Sequence, residues 1–238
     1  MLKAPERHVA HTFRRDWYTS VATMTFSSLD LMALATQFPI LALAWRRKPG
    51  RDHIFWLLLA AAFLGPFLWS ITAHAVAWQA ELTAALWTTI AATWGLFTFL
   101  CVYEKEAWRL IAIIAPVLFI MAVLAIIWSG QHGQSPTTEI PGAARGAGLG
   151  LHIAVSVATY GLLTIAAAAG SAGIIQDRTL KSKQPTARSR NLPALSDCDA
   201  MMFRLLSMAE VVLALGVVSG MALQFQETRQ ILALDHKT

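Results

Sequence analysis

The chain has 238 residues, of which 56% are hydrophobic and only 14% are charged. Soluble domains carry about a quarter charged residues, so this composition excludes an ordinary soluble domain and predicts an integral membrane protein. The net charge of +5 does not indicate nucleic-acid binding, because the lysines and arginines cluster in short loops between apolar segments. We therefore expect the lipid bilayer among the partners, and no nucleic acid.

In chain order, a polar basic tail over residues 1–22 precedes one transmembrane domain over residues 23–238. A membrane span requires about 20 apolar residues. The segments that meet this length are Thr23–Trp45, Ile54–Val76, Leu82–Val102, Leu110–Trp128, Gly148–Ile175 and Ala200–Phe225. The predicted fold class is therefore all-α, a polytopic transmembrane helical bundle with about six spanning helices.

Two carboxylates interrupt the apolar spans. Asp30 lies in the first span, which Gln37 and Pro39 also interrupt. We interpret Asp30 as a helix cap or an interfacial residue that follows two serines. Glu210 lies deeper, within the sixth span, and is expected to pair with a neighbouring helix.

The distribution of lysine and arginine predicts the orientation in the membrane. The loops after the first, third and fifth spans hold eleven of these residues, the loop after the second span has none, and the loop after the fourth has one. Basic loops stay in the cytoplasm, so both termini are predicted to be periplasmic in a multi-pass protein of the bacterial inner membrane. The four basic residues of the N-terminal tail instead favour a cytoplasmic N-terminus.

The fifth span carries the most informative pattern, LHIAVSVATYG over Leu151–Gly161. His152 opens it, and Ser156, Tyr160 and Thr164 follow at four-residue spacing, which places them on one helix face. Hydrocarbon offers no water to polar groups, so this stripe is expected to face protein, a cavity or a ligand.

Histidines concentrate on the predicted outer side, where His74, His132, His152 and His236 lie. Neutral imidazole is a ligand of haem iron. Zinc would require about four ligands, but no Asp, Glu or Cys adjoins His74 or His152, so the pattern favours haem. The alternative for His152 is an interfacial histidine bonded to a loop carbonyl, and for His74 an ordinary interface residue.

Two long segments and the last four residues resemble the cytochrome c assembly family of membrane proteins, the CcsA/CcmC-like proteins. The residues are LHIAVSVATYGLLTIAAAAGSAGIIQDRTLK, LPALSDCDAMMFRLLSMAEVVLALGVVSG and DHKT. Within the family, the chain looks most similar to the bacterial YpjD and HemX branch. The likeness covers residues 54–238 and is specific over residues 151–238.

The resemblance implies a protein that binds haem b near the outer membrane face and supports cytochrome c biogenesis with other membrane proteins of that process. It implies His152 and His236 as axial ligands of the iron, with His74 as a further candidate. Ser156 and Tyr160 would hydrogen-bond the porphyrin or a propionate. We expect no enzymatic activity, because the sequence shows no nucleophile–base pair, phosphate loop or metalloprotease motif.

Two departures from the family pattern leave alternatives open. The sequence contains no WWD-type tryptophan-rich segment, and it ends at Thr238, where the family continues into further C-terminal helices. The first alternative is a membrane cytochrome b that transfers electrons through a permanently bound haem. The second is a truncated scaffold paralogue that binds no haem.

Overall fold

A computed structural model describes residues 28–45, 50–76, 82–131, 147–183 and 189–228. These residues are 93% helical and include no strand, so the all-α prediction is confirmed. The helices are α1 (Ser28–Ala35), α2 (Gln37–Ala44), α3 (His53–Val76), α4 (Leu82–Tyr103), α5 (Ile111–Gln131), α6 (Ala147–Ser182) and α7 (Leu195–Thr228), with 3-10 helices at Ala107–Leu110 and Ser189–Asn191.

Helices α3 to α7 are each long and apolar enough to cross a membrane, and they correspond to the last five predicted spans. The first predicted span, Thr23–Trp45, differs. The described part of this segment forms two short helices, α1 and α2, which are separated by a break at Thr36. Pro39 has no N–H, so the Ala35 carbonyl lacks the donor four residues later that would continue the helix. Helix α1 ends at that residue.

A second proline accounts for the position of a buried side-chain amide, that of Gln37. Pro66 lies inside α3 and deprives the carbonyl of Ala62 of its helical donor. The Gln37 side chain replaces that donor, because its Nε2 donates to the Ala62 oxygen at 3.0 Å. Its Oε1 accepts from Nε1 of the buried Trp94 at 2.8 Å. One glutamine thus joins α2, α3 and α4 in a region where no water would satisfy these groups.

Replacing Gln37 with leucine is expected to lower the free energy of unfolding by about 2–4 kcal/mol, because each buried group left unsatisfied costs about 1–3 kcal/mol. Thermal unfolding of the detergent-purified protein measures this loss. The double variant Gln37→Leu/Pro66→Ala regains a main-chain donor for Ala62, so it should be more stable than Gln37→Leu alone. Equal stability of the two variants would contradict the role given to Ala62.

The last two helices form an antiparallel hairpin and make the most extensive helix pair of the bundle. Close contacts join Gly148 to Leu223 at one end of the hairpin and Gly173 to Cys198 at the other. Helix α6 has 36 residues, or about 54 Å, against a hydrocarbon core of about 30 Å. It therefore continues beyond the apolar layer, where Lys181 pairs with Asp177 at 2.7 Å.

The two ends of the bundle differ in chemistry. At one end, which we term the basic end, Arg204 of α7 forms an ion pair with Glu104, the residue that follows α4. There Gln176 Nε2 donates to the Ser189 and Pro193 carbonyls, both at 2.9 Å, and so fixes the connection between α6 and α7. The opposite end, called here the His152 end, is where α6 begins and where α3, α5 and α7 end.

Candidate haem-binding site

His152 lies in the second turn of α6 and packs against α7 across two glycines. A Cβ at Gly220 would lie 3.0 Å from His152 Cε1, and a Cβ at Gly216 would lie 3.3 Å from Val155. Glycines allow transmembrane helices to approach closely. The imidazole therefore lies directly on the backbone of α7 at the His152 end.

Hydrogen bonds from α7 fix the tautomer of this imidazole. His152 Nδ1 lies 3.1 Å from the Gly216 carbonyl oxygen and 3.1 Å from Ser219 Oγ. Ser219 Oγ in turn donates to the Gly216 carbonyl at 2.9 Å. A carbonyl oxygen only accepts hydrogen bonds, so the contact with Gly216 assigns the proton to Nδ1 in the neutral ring. The Nε2 lone pair is then unprotonated.

The Nε2 atom makes no hydrogen bond to any residue that the structure describes. An imidazole whose Nδ1–H is held by a backbone carbonyl and whose Nε2 is unprotonated has the arrangement that metal-ligating histidines use. The alternative interpretation, a histidine bonded to a loop carbonyl, is correct about the type of acceptor. That acceptor, however, lies within α7 and not in a loop.

The side chains of the other residues in the predicted polar stripe do not converge on one site. Ser156 donates to the carbonyl of His152 at 2.8 Å, and Thr164 donates to that of Tyr160 at 2.8 Å. Serine and threonine hydroxyls in transmembrane helices commonly donate in this way to a main-chain carbonyl of the preceding turn. Tyr160 is 62% exposed on the outside of the bundle. The structure therefore brings only His152 into a polar constellation with α7.

The two other predicted ligands are not described at the level of side chains. His236 lies outside the described residues, as does His132, and for His74 only the helical backbone near the end of α3 is described. The second axial ligand therefore stays a prediction. Within the described ranges, no three of His, Cys, Asp and Glu come together as a metal site.

A carboxylate at the same end of the bundle, that of Asp30, is more buried than the sequence interpretation predicted. Asp30 is 3% exposed, and it accepts from Trp69 Nε1 at 2.7 Å and from Ser129 Oγ at 3.3 Å. It therefore lies inside the bundle, where it joins α1, α3 and α5, and the prediction of an interfacial residue is wrong. The signal was available, because an ionisable residue within a span faces protein by default.

The indole of Trp87 lies beside that cluster. Its ring centroid is 5.8 Å from that of Trp69. Among the buried side-chain nitrogens and oxygens that the structure describes, Trp87 Nε1 has no hydrogen-bond partner. Trp69 and Trp87 thus contact each other within the bundle at the His152 end.

The family follows from a comparison with known sequences. The family model described as "Cytochrome C assembly protein" matches residues 77–223, well over half of the chain. This chain belongs to the cytochrome c assembly family. Of the three predicted histidine ligands, His152 lies inside the matched region, together with its hydrogen-bond partners on α7. His74 and His236 lie outside it.

The chain is also similar to a protein of Azospirillum brasilense. It is described as "Uncharacterized 28.8 kDa protein in nifR3-like 5'region" and is 40% identical over 217 residues, which span 90% of this chain and 79% of the relative. No solved structure matches this chain. Membership of the cytochrome c assembly family supports a role in cytochrome c biogenesis. Its helices make it a multi-pass membrane protein.

Proposed function

We propose that this member of the cytochrome c assembly family binds haem b near the outer face of the inner membrane, with His152 Nε2 as an axial ligand of the iron. The observation that carries the proposal is the hydrogen bond of His152 Nδ1 to Gly216, because it leaves Nε2 as a lone-pair donor. Haem would supply a redox-active iron. His152 would hold that iron, while the Gly216 carbonyl and the Ser219 hydroxyl hold the ring of His152.

The remaining ligands and partners follow from the family. His236 or His74 would complete the axial pair, and Ser156 and Tyr160 would hydrogen-bond the porphyrin or a propionate. The protein would bind and pass on haem without enzymatic turnover, together with other membrane proteins of cytochrome c biogenesis. The lysine and arginine distribution favours periplasmic termini, and in that orientation the His152 end would face the periplasm.

Electron transfer through a cytochrome b is the weaker candidate. Transfer between the membrane faces would need histidines deep in the bilayer. In the part of the chain that the structure describes, His53 is the first residue of α3, His74 lies near its last turn, and His152 lies in the second turn of α6. None of these three lies near the middle of a spanning helix. His74 and His152 lie at the same end of the bundle, and this placement favours haem handling at one face.

The decisive experiment is a reduced-minus-oxidised absorption spectrum of the detergent-purified chain from haem-replete cells. We expect a Soret band that His152→Gly removes and that added imidazole restores in this variant. His53→Ala is the matched control, because His53 lies at the opposite end of α3 from His74. This variant should leave the band unchanged. A wild-type protein without a Soret band would refute haem binding, and a band unaffected by His152→Gly would assign the iron to another ligand.

The cellular role requires a separate measurement. Cells that lack the gene should lose haem-stained c-type cytochromes. The wild-type gene should restore them, whereas the His152→Gly variant should not. Full restoration by the variant would separate the role in cytochrome c biogenesis from haem binding at this histidine.

A further inference from the structure

A cleft lies at the basic end of the bundle, between the turn that follows α4 and the first turns of α7. Its volume is about 370 Å³, and sites for small molecules commonly measure about 300–1,000 Å³. One wall is formed by residues 103–106 at the end of α4, and the other by Asp197, Ala200, Met201 and Arg204. These four residues follow the three- and four-residue spacing of one helix face, so two separate helices frame the cleft.

The cleft lies at the depth of the lipid headgroups. On one wall, the spanning helix α4 ends at Tyr103, and tyrosine favours the membrane interface. On the other wall, Asp197 and Arg204 precede an apolar stretch whose one charged residue is Glu210. The 21 residues 205–225 of this stretch form about 31 Å of helix, which matches a hydrocarbon core of about 30 Å. Both helices therefore place the boundary of the apolar layer at the cleft.

Helices α4 and α7 do not pack extensively on each other. Helix α6 packs on both of them, whereas within the described residues α4 and α7 make no comparable contact. Helix α7 therefore packs on one side only, and 17% of the residues in its spanning region are buried, against 39% in α6 and 44% in α4 and α5. The cleft thus lies where two helices that share α6 as a neighbour remain apart.

Glu210 lies outside this cleft, on the exposed surface of α7. It has no ion-pair or hydrogen-bond partner among the residues that the structure describes. The expectation that it pairs with a neighbouring helix of the chain is therefore wrong for the described helices.

Exposed apolar side chains continue both walls of the cleft toward the membrane interior. On α4, Phe99 is 61% exposed, and its ring centroid lies 4.4 Å from that of Tyr103. On α7, Met208 and Val211 follow Arg204 by four and seven residues and are 57% and 63% exposed. They therefore lie on the face that lines the cleft. A ligand with apolar chains would find contact along both walls.

The charges of the cleft leave one group of each sign unpaired. Glu104 pairs with Arg204 between the two walls, and Glu106 pairs with a neighbouring arginine at 2.9 Å. Lys105 and Asp197 are exposed, and neither forms an ion pair with the other or with any further residue that the structure describes. An ammonium group and a carboxylate thus line the same cleft from opposite walls.

We propose that the cleft binds the zwitterionic headgroup of a membrane phospholipid whose phosphate is joined to a primary ammonium group, as in phosphatidylethanolamine. Lys105 and the remaining N–H groups of Arg204 donate to the phosphate oxygens, and the ammonium group donates to the Asp197 carboxylate. The acyl chains lie along Phe99 and Met208. Basic pockets at the membrane surface recognise lipid headgroups by this chemistry.

The unpaired charges and the depth of the cleft favour this ligand over three others. Phosphatidylglycerol has no ammonium group and would leave Asp197 unpaired. The trimethylated ammonium group of phosphatidylcholine has no N–H to donate. A soluble zwitterion would match the charges but would leave the apolar walls uncovered. The cleft lies at the opposite end of the bundle from His152, so this proposal does not depend on haem binding.

Native mass spectrometry of the detergent-purified full chain tests the ligand. The protein is titrated with phosphatidylethanolamine, phosphatidylglycerol and phosphatidylcholine that carry the same acyl chains. We expect phosphatidylethanolamine to bind at least several-fold more tightly than the other two, and equal binding of the three would overturn the role of the ammonium group. Glycerophosphoethanolamine carries the same headgroup without acyl chains. Displacement of the bound lipid by an equal concentration of this compound would overturn a membrane lipid as the ligand.

Variants of the two unpaired residues test the place of binding. Lys105→Gln should weaken the binding of phosphatidylethanolamine several-fold, and Asp197→Asn should abolish its preference over phosphatidylglycerol. Both side chains are exposed, so neither change should shift thermal unfolding. Lys181→Gln is the matched control, because Lys181 is also exposed at the basic end but pairs with Asp177 outside the cleft. If Lys105→Gln and Lys181→Gln bind the lipid alike, or if Asp197→Asn keeps the preference, the cleft is not the headgroup site.

Discussion

The variant Gly65→Ala is expected to unfold at a temperature about 5–10 °C lower than the unaltered protein. A Cβ at Gly65 would overlap Thr36 Oγ1 and would lie 3.0 Å from Thr36 Cβ, so rotating the threonine cannot relieve the overlap. Helix α3 would have to move away from the break between α1 and α2. Overpacking of this kind costs about 1–3 kcal/mol, and about 1 kcal/mol shifts the midpoint of a domain this size by about 2–4 °C.

The buried thiols of Cys101 and Cys198 provide the measurement, because a thiol-reactive fluorophore labels them only as the bundle unfolds. Gly150→Ala is the matched control. No atom lies within 4 Å of the Cβ it would introduce, and alanine favours a helix over glycine by about 0.5–1 kcal/mol. A Gly65→Ala protein as stable as Gly150→Ala would contradict the close approach at Thr36.

Loss of the Asp30 carboxylate should be comparably damaging. We expect Asp30→Ala to lower the free energy of unfolding by about 2–3 kcal/mol, because it leaves Trp69 Nε1 without its 2.7 Å acceptor and removes a charge-assisted bond. Ser129 would lose less, since its hydroxyl also donates to the Ile126 carbonyl. The same thiol-labelling melt measures the effect.

Two further substitutions in α1 separate the hydrogen bonds of Asp30 from simple packing. Asp30→Asn keeps one oxygen that Trp69 can donate to, so it should lose less than half as much stability as Asp30→Ala. Met32→Ala changes an exposed side chain of the same helix and should have little effect. If Asp30→Ala and Met32→Ala unfold alike, the carboxylate does not hold α1 against α3 and α5.

Much of the fold was predictable because a lipid environment restricts the choices. Apolar length alone located α3 to α7, since only helices of that kind satisfy their backbone within hydrocarbon. The break of the first span at Thr36, and the contacts that accompany it, were not predicted because they depend partly on residues distant in sequence. Pro39 breaks the helix, and Gln37 then bonds to Ala62 and Trp94, which no local pattern around residue 37 indicates.

The candidate site was predictable to the level of one residue. The apolar helix around His152 made that histidine conspicuous, but its partners Gly216 and Ser219 lie 64 and 67 residues later. Four-residue spacing suggested a common stripe with Ser156 and Tyr160. It could not reveal that Ser156 bonds its own helix, because that choice depends on where the neighbouring helix packs. The same limit applies to Glu210, whose exposure follows from the one-sided packing of α7.

The hairpin of α6 and α7 also has a consequence for biosynthesis. Ribosomes deliver His152 to the membrane long before residues 216–220 exist, so the newly inserted imidazole has no fixed tautomer until the final helix enters beside it. Under the proposed function, haem would be held in this geometry only after α7 has entered the membrane beside α6.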